Sequence, residues 1–328
     1  MYTMVVNRIF HHMKTGRERS VRQKQLRTTW RKDIKRNYEL YLFVLPAFIE
    51  VLIFSYLPMY GVQIAFKNFK PAQGIWDSAW VGMKWFTRFF NSYQAGTVIL
   101  NTIILSVQLL LFSFPISIVF ALIINQYRNQ RFRRSVQTVS YAPHFISTVV
   151  IAGMITIFLS PSQGLYGNLC NILGVEAGNP IGEASLFRPI YIISEIWQHT
   201  GWESIIYVAA LSSIDPGLYD AATVDGATRF QRIRHIEIPA LASTAALIFI
   251  MRVGSVMSMG FEKVYLLQNN LNIATSEIIA TYVYKIGLVE STQYSYSAAI
   301  GLFNSLVNMM LLVTFNMLSR KVNETSLW

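Results

Sequence analysis

The chain has 328 residues, 53% of them hydrophobic and only 14% charged, with a formal net charge of +11. A soluble domain is about a quarter charged, so the composition argues for a membrane protein, and the continuous apolar runs it contains argue for an all-α one. A single cysteine, Cys170, excludes an intramolecular disulfide framework and any cysteine-based metal cluster.

Residues 1–38 carry eleven Lys and Arg. Ahead of a membrane span, such a tail marks the cytoplasmic side more often than a nucleic-acid site, and no nucleic-acid partner is expected. No short apolar run with a small-residue cleavage site follows the first basic residues, so a cleavable signal peptide is not expected.

A span needs about 20 apolar residues in helix. Six stretches qualify, over about 40–66, 97–124, 136–159, 189–212, 236–261 and 294–318, within a transmembrane domain at 39–318. The runs are continuous rather than alternating, which argues against a β-barrel. Pro46, Pro58 and Pro115 interrupt them, but neighbouring helices can satisfy the freed backbone groups.

With the tail inside, the inner segments 1–38, 125–135, 213–235 and 319–328 hold twenty Lys/Arg and the outer loops seven. The bias predicts both termini in the cytoplasm, with 1–38 and 319–328 as cytoplasmic tails. Trp76, Trp80 and Trp85 in the first outer loop suit the membrane interface. In Ser160–Pro180, Leu165, Leu169, Ile172 and Leu173 fall at helical spacing, so a short helix outside the bilayer is expected.

The segment 213–235 is a polar hook between two apolar runs. Asp215-Pro216 is a helix start, because Asp caps orphan N–H groups and Pro is preorganised at the first helical position. Leu218, Ala221 and Ala222 share one face, with small side chains that permit close approach. Gly226 can adopt positive φ and is the predicted stop. Thr228 with Gln231 forms a predicted capping box for a second helix carrying Arg229, Arg232 and Arg234. The bland alternative is an inner loop whose charges are simply solvated.

The chain has no phosphate-binding G-x-x-x-x-G-K-[ST] loop, no H-E-x-x-H or other metal spacing among His11, His12, His144, His199 and His235, and no G-x-S-x-G elbow. Catalysis and metal binding by this chain are therefore not expected.

The spacing Asp220-Ala221-Ala222, three residues, Gly226, nine residues, Ile236-Glu237-Ile238-Pro239 resembles the EAA motif of ABC importer permeases. With its flanks, "LSSIDPGLYDAATVDGATRFQRIRHIEIP", it is similar to binding-protein-dependent sugar permeases, and the likeness runs from about Glu39 to the C-terminus. Asp220 stands where Glu is usual, one methylene shorter. Ile238 stands where Leu is usual.

The resemblance implies a six-helix type I ABC importer permease in the bacterial cytoplasmic (inner) membrane, with the hook as the coupling helix. Tyr219, Asp220, Ala221, Ala222, Asp225, Gly226, Arg229 and Phe230 would couple to a cytoplasmic ATPase. It implies two ATPase subunits that bind ATP and Mg, a second permease that is either another copy or, as is usual for permeases resembling this one, a distinct chain, a solute-binding protein, and no cofactor in this chain. Import would proceed by alternating access. The likeness is closest to permeases for oligosaccharides, including acidic ones from alginate or pectin. Two other classes remain open from the residues: a secondary transporter or channel without an ATPase, and a membrane anchor or sensor component whose hook recruits another partner.

Ionisable groups inside spans are costly and so mark possible solute pathways. Glu195, Gln198, His199 and Glu203 lie on the fourth span, Arg252 on the fifth and Asn304 on the sixth. Trp197, Trp202, Tyr191 and Tyr294 could stack on sugar rings, and Asn101, Gln108 and Asn308 add polar positions. For any single Asn or Gln, helix–helix hydrogen bonding is the simpler reading. Arg252 lies 16 residues past Ile236 and Glu195 lies 17 before Ser212. Both therefore sit roughly 24–26 Å from the hook end, where they could pair or face the translocation cavity.

Overall fold

A computed structural model describes residues 34–127, 129–258 and 260–323. Most of the basic tail expected at 1–38, with His11 and His12, lies outside the described residues, as do the last residues of the tail expected at 319–328. The chain divides into two units, Met1–Val62 and Gln63–Trp328.

In the first unit, α1 (Tyr38–Val51) carries Pro46 and passes into a π turn, Leu52–Tyr56. There the Leu57 N–H reaches the Leu52 carbonyl, five residues back. Pro58 follows at once. A proline cannot donate to the ladder and its ring crowds the preceding turn, and the wider π turn absorbs that mismatch.

The second unit is built on long helices. Helix α2 (Tyr93–Asn125) has 33 residues, about 50 Å at 1.5 Å per residue, and runs through Pro115. It packs along α6 (Ala184–Ser212). The contact joins Leu105 and Leu109 with Phe187, Tyr191 and Ile192 toward one end, and Ala121 and Leu122 with Tyr207, Val208 and Leu211 toward the other. Small residues carry the close approaches, as expected where apolar burial alone cannot hold helices together. On another side of α6, Gly201 admits the segment 130–141, because a Cβ there would collide with the Ser140 carbonyl.

Among the described residues, four helices are long and apolar enough to cross a bilayer: Tyr38–Phe66, Tyr93–Asn125, Arg229–Gly254 and Tyr294–Lys321. A bent pair makes five if it counts as one span. Two of the six expected spans therefore need correction. The stretch 136–159 is not one straight helix: α3 (Gln130–Tyr141) and a 3-10 turn through Phe145 meet α4 (Thr148–Phe158) at 95°. The break falls after Pro143, and the Ser147 hydroxyl caps the Val150 N–H to start a new helix. The stretch 236–261 ends at Gly254, and a 3-10 turn, Val256–Ser258, precedes Gly260 at φ +80°. The stretch 189–212 is helical throughout α6 and long enough to cross, but its Glu, Gln and His residues leave it outside the apolar set.

Between the long helices, α5 (Leu165–Leu173) is the short helix expected after Ser160, stopped by Gly174 in the left-handed conformation. The hook comprises α7 (Pro216–Val224) and α8 (Arg229–Arg232). A π turn, Ile233–Glu237, then joins α8 to α9 (Ile238–Gly254), so the second hook helix and the fifth span form one unbroken rod. Here the Ile238 N–H reaches Ile233 and Pro239 follows, the same arrangement as before Pro58. Helix α10 (Phe261–Leu267) follows that turn, and α11 (Tyr294–Asn323) returns along α9.

Candidate functional site

The hook is fixed by local chemistry. Asp215 accepts a hydrogen bond from the Gly217 N–H at 2.9 Å and caps α7. Gly226 sits at φ +73°, a conformation that costs other residues a Cβ clash. The Ala227 N–H closes the helix end on the Ala222 carbonyl at 2.8 Å. Thr228 and Gln231 form the expected capping box: the Gln231 N–H donates to Thr228 Oγ1 at 3.3 Å, and the Thr228 N–H donates to Gln231 Oε1 at 2.7 Å. Leu218, Val224 and Phe230 present exposed apolar side chains, and Asp220, Asp225 and Arg229 are exposed around them. Ala221 is also exposed, and Ala222 is half-buried.

Tyr219 differs from its hook neighbours. It is half-buried, and its hydroxyl donates to Glu237 Oε1 at 3.2 Å. Burial and then the Glu237 carboxylate raise its pKa above the ordinary tyrosine value. Behind it lies a polar cavity of about 380 Å³ lined by Asn125, Gln126, Asp220, Arg229, Arg232 and Glu237, among others.

The second constellation lies on α6. Glu195, His199 and Glu203 fall at i, i+4 and i+8, and so on one face. Lys263 donates to Glu195 Oε1 at 2.5 Å and to Gln198 Oε1 at 2.7 Å. Gln198 donates in turn to the Ile146 carbonyl at 3.1 Å. His199 meets His144 Nδ1 to Nδ1 at 3.0 Å, with Glu195 3.6 Å from its Nε2. Glu203 is held by Arg252 Nη2 at 2.5 Å and by the hydroxyls of Ser117 at 2.7 Å and Ser113 at 3.2 Å. Arg252 Nη1 also donates to Ser113 at 3.1 Å.

Arg252 therefore pairs with Glu203, and an Arg252–Glu195 pair is absent. Equal depth of Cα atoms was the wrong measure. Helical side chains lean toward their own N-terminus. The two helices run in opposite senses on either side of the hook, so Arg252 leans toward the hook and Glu195 away from it. Glu203, about two turns nearer the hook, leans toward Arg252.

The other polar and aromatic positions scatter. Trp197 is exposed on the opposite face of α6, beside an apolar pocket lined by Ile151, Met154, Ile155 and Phe158. Trp202 stacks on His144 at 4.5 Å, and Tyr191 is core. Asn304 and Asn308 hold Ser258, at 3.4 and 2.7 Å. Asn101 holds the carbonyls of Ala274 and Glu277. Tyr294 meets Phe69 edge-on. The Gln108 side-chain oxygen is buried without a partner. Among the described residues no three His, Cys, Asp or Glu side chains could hold a metal ion.

Sequence reading missed Lys263, Ser113, Ser117, His144 and Glu237. Ser113 and Ser117, four apart in an apolar run, were a usable signal. Lys263 was not: it follows a helix break and reads as an outer-loop cation, yet it is only 3% exposed.

Residues 113–324 match the model of the family described as binding-protein-dependent transport system inner membrane component. Among curated proteins, the chain is 39% identical to Protein LplB of Bacillus subtilis (strain 168), covering 92% of this chain and 94% of that one. It is 40% identical to the polygalacturonan/rhamnogalacturonan transport system permease protein YteP of the same organism, covering 90% and 92%. Among solved structures, it resembles a chain of a bacterial ABC transporter involved in import of the acidic polysaccharide alginate. That match has a TM-score of 0.82 and 41% identity, and covers 89% of this chain and 98% of that one. A chain of a bacterial alginate ABC transporter in complex with an alginate pentasaccharide-bound periplasmic protein gives a TM-score of 0.83 at 40% identity, covering 90% and 99%.

Proposed function

The chain belongs to the family of binding-protein-dependent transport system inner membrane components, and we propose from that premise how it works as the permease subunit of an ABC oligosaccharide importer. It takes an oligosaccharide, an acidic uronate oligomer by preference, from a binding protein outside the membrane. It passes the oligosaccharide inward by alternating access. The hook seats on one of two ATPase subunits, which bind ATP and Mg, and a second permease completes the path. The chain itself supplies no catalytic group. Both termini lie in the cytoplasm of a bacterial cell.

The observation that carries this reading is the hook: two capped helices about a left-handed glycine, rigidly continuous with α9. A lever of that kind suits movement passed between two proteins. The acidic preference draws on the alginate and polygalacturonan systems that this chain is similar to. Within the span region, Arg252 is the fork-shaped cation suited to a uronate carboxylate, which would have to exchange with Glu203.

The test is reconstitution. An ATPase should copurify in fixed ratio, and its hydrolysis should rise when the binding protein is loaded with uronate oligomers. Reporter fusions after Gln130 and Phe230 should report cytoplasm, and one after Gly174 the outside. An outside signal at Phe230 would remove the coupling role.

A further inference from the structure

We propose that Glu237 is a positioning residue that ties the hook to the end of α2, so that the hook cannot swing without moving that helix. The inference rests on the reading of the hook as the coupling element. Glu237 is 1% exposed, and no Lys or Arg among the described residues pairs with it. Its carboxylate is satisfied by neutral donors from two other elements. Asn125 Nδ2 donates to Oε1 at 3.0 Å, Gln126 Nε2 donates to both oxygens at 2.9 and 3.0 Å, and the Tyr219 hydroxyl donates to Oε1 at 3.2 Å. Asn125 ends α2, and Gln126 caps it. Tyr219 belongs to α7.

The hook continues directly from α6 on one side and into α9 on the other. Helix α2 is remote in sequence, with some ninety residues between Gln126 and Pro216. Apolar packing already joins α2 to α6, and the Glu237 carboxylate adds a hydrogen-bonded tie from the end of α2 to the hook itself. It also lies at the last residue of the π turn. Such single-turn widenings often mark functional sites, and this one places the carboxylate between the hook and α2. A buried carboxylate left short of donors is costly, which opposes separation of Tyr219 from the end of α2. Motion of the hook therefore reaches α2, α6 and α9 together.

The test uses the assembled transporter with its ATPase and binding protein, and variants outside the hook. Gln126→Met and Asn125→Leu each remove donors to Glu237 while keeping similar volume. The readout is ATP hydrolysis per assembled complex, with and without loaded binding protein. The expected result is an about ten-fold fall in the stimulation ratio, the worth of one hydrogen bond to a charged group, with the ATPase still copurifying. Gln126→Glu alone, which sets two carboxylates together, should fall further. The reciprocal pair Gln126→Glu with Glu237→Gln should recover stimulation, because the donor and acceptor have only changed places. Wild-type stimulation per complex in both neutral variants overturns the proposal. So does a loss confined to the amount of complex formed, which would mark a purely structural role. Where a single variant does not insert, the reciprocal pair decides, and its failure to insert or couple counts against the proposal. If wild-type protein itself shows no stimulated hydrolysis, it is the importer reading that fails.

Discussion

The hook and the polar face of α6 each hold a carboxylate out of water, and they do so in opposite ways. Glu203 is countered by the guanidinium of Arg252 plus two serine hydroxyls. Glu237 is held by two amides and a phenol with no cation. An ion pair lost on one side leaves an uncompensated charge, whereas a carboxylate shared among several neutral donors keeps the rest when one is removed, at a smaller cost. The first arrangement suits a fixed brace or a site where a charged solute replaces one partner. The second suits a joint that must hold while its surroundings rotate.

The largest expected effect comes from breaking the brace on one side. Arg252→Ala leaves Glu203 without its cation, and removing one partner of a buried pair costs about 3–5 kcal/mol. The loss should fall at the lower end, because the two side chains keep 15% and 23% of their surface exposed. Thermal melting of the purified protein should drop clearly for Arg252→Ala and less for the double variant Arg252→Met with Glu203→Gln. Uptake sharpens the contrast. If the pair is only a brace, the swap of Glu203→Arg with Arg252→Glu restores transport. If Arg252 meets an acidic solute, the swapped protein assembles and does not transport it. Full uptake by Arg252→Ala would take Arg252 out of the pathway.

The hook should respond through its backbone. At Gly226 nothing lies within 4 Å of an added Cβ, so the penalty for a side chain is conformational rather than steric crowding. A left-handed residue costs about 1–2 kcal/mol unless it is Gly or, less severely, Asn. Gly226→Val should therefore insert normally and lose stimulated ATP hydrolysis, while Gly226→Asn keeps most of it. Normal coupling in Gly226→Val would break the comparison, because the turn would then not set the hook. Thr228→Ala should act more gently. It removes one half of the capping box, worth about 1 kcal/mol. Faster amide exchange should appear over Arg229–Arg232 and not in α6.

These two regions were unequally legible in the sequence, and the reason is distance along the chain. The caps and the turn that shape the hook act within five residues: Asp215 on Gly217, Ala227 on Ala222, Thr228 on Gln231. Spacing alone could place them, and the motif resemblance agreed with it. The polar face of α6 depends on partners 49 to 90 residues away, from Arg252 to Ser113. Composition flagged Glu195, Glu203 and Arg252 as unusual but could not pair them, since pairing turns on side-chain lean. The 95° bend after Pro143 was also hidden, because proline is tolerated in spans elsewhere in this chain, as at Pro115 in α2. Glu237 lies inside the motif, at its Ile236-Glu237-Ile238-Pro239 end, with no spacing signal of its own. Nothing local distinguishes a carboxylate that faces solvent from one that faces Asn125.

The smallest expected effect tests whether the Glu237 joint is indifferent to pH. Burial first, and the Glu237 carboxylate next, raise the pKa of Tyr219 above the ordinary tyrosine value of about 10. A raised value means that the folded state holds the proton more tightly than the unfolded chain. The resulting stabilisation is fully present below the ordinary value and is lost only as pH rises through the raised one. Between about pH 6 and 9 the phenol therefore remains a donor, and its bond to Glu237 should not vary. Amide exchange over 215–228, corrected for intrinsic rate, should be faster in Tyr219→Phe than in wild type by a factor that stays constant across that range. A difference that shrinks toward pH 9 would mean that Tyr219 ionises early. Its hydroxyl would then not be donating to a carboxylate, and the contact joining α7 to Glu237 would have to be reassigned.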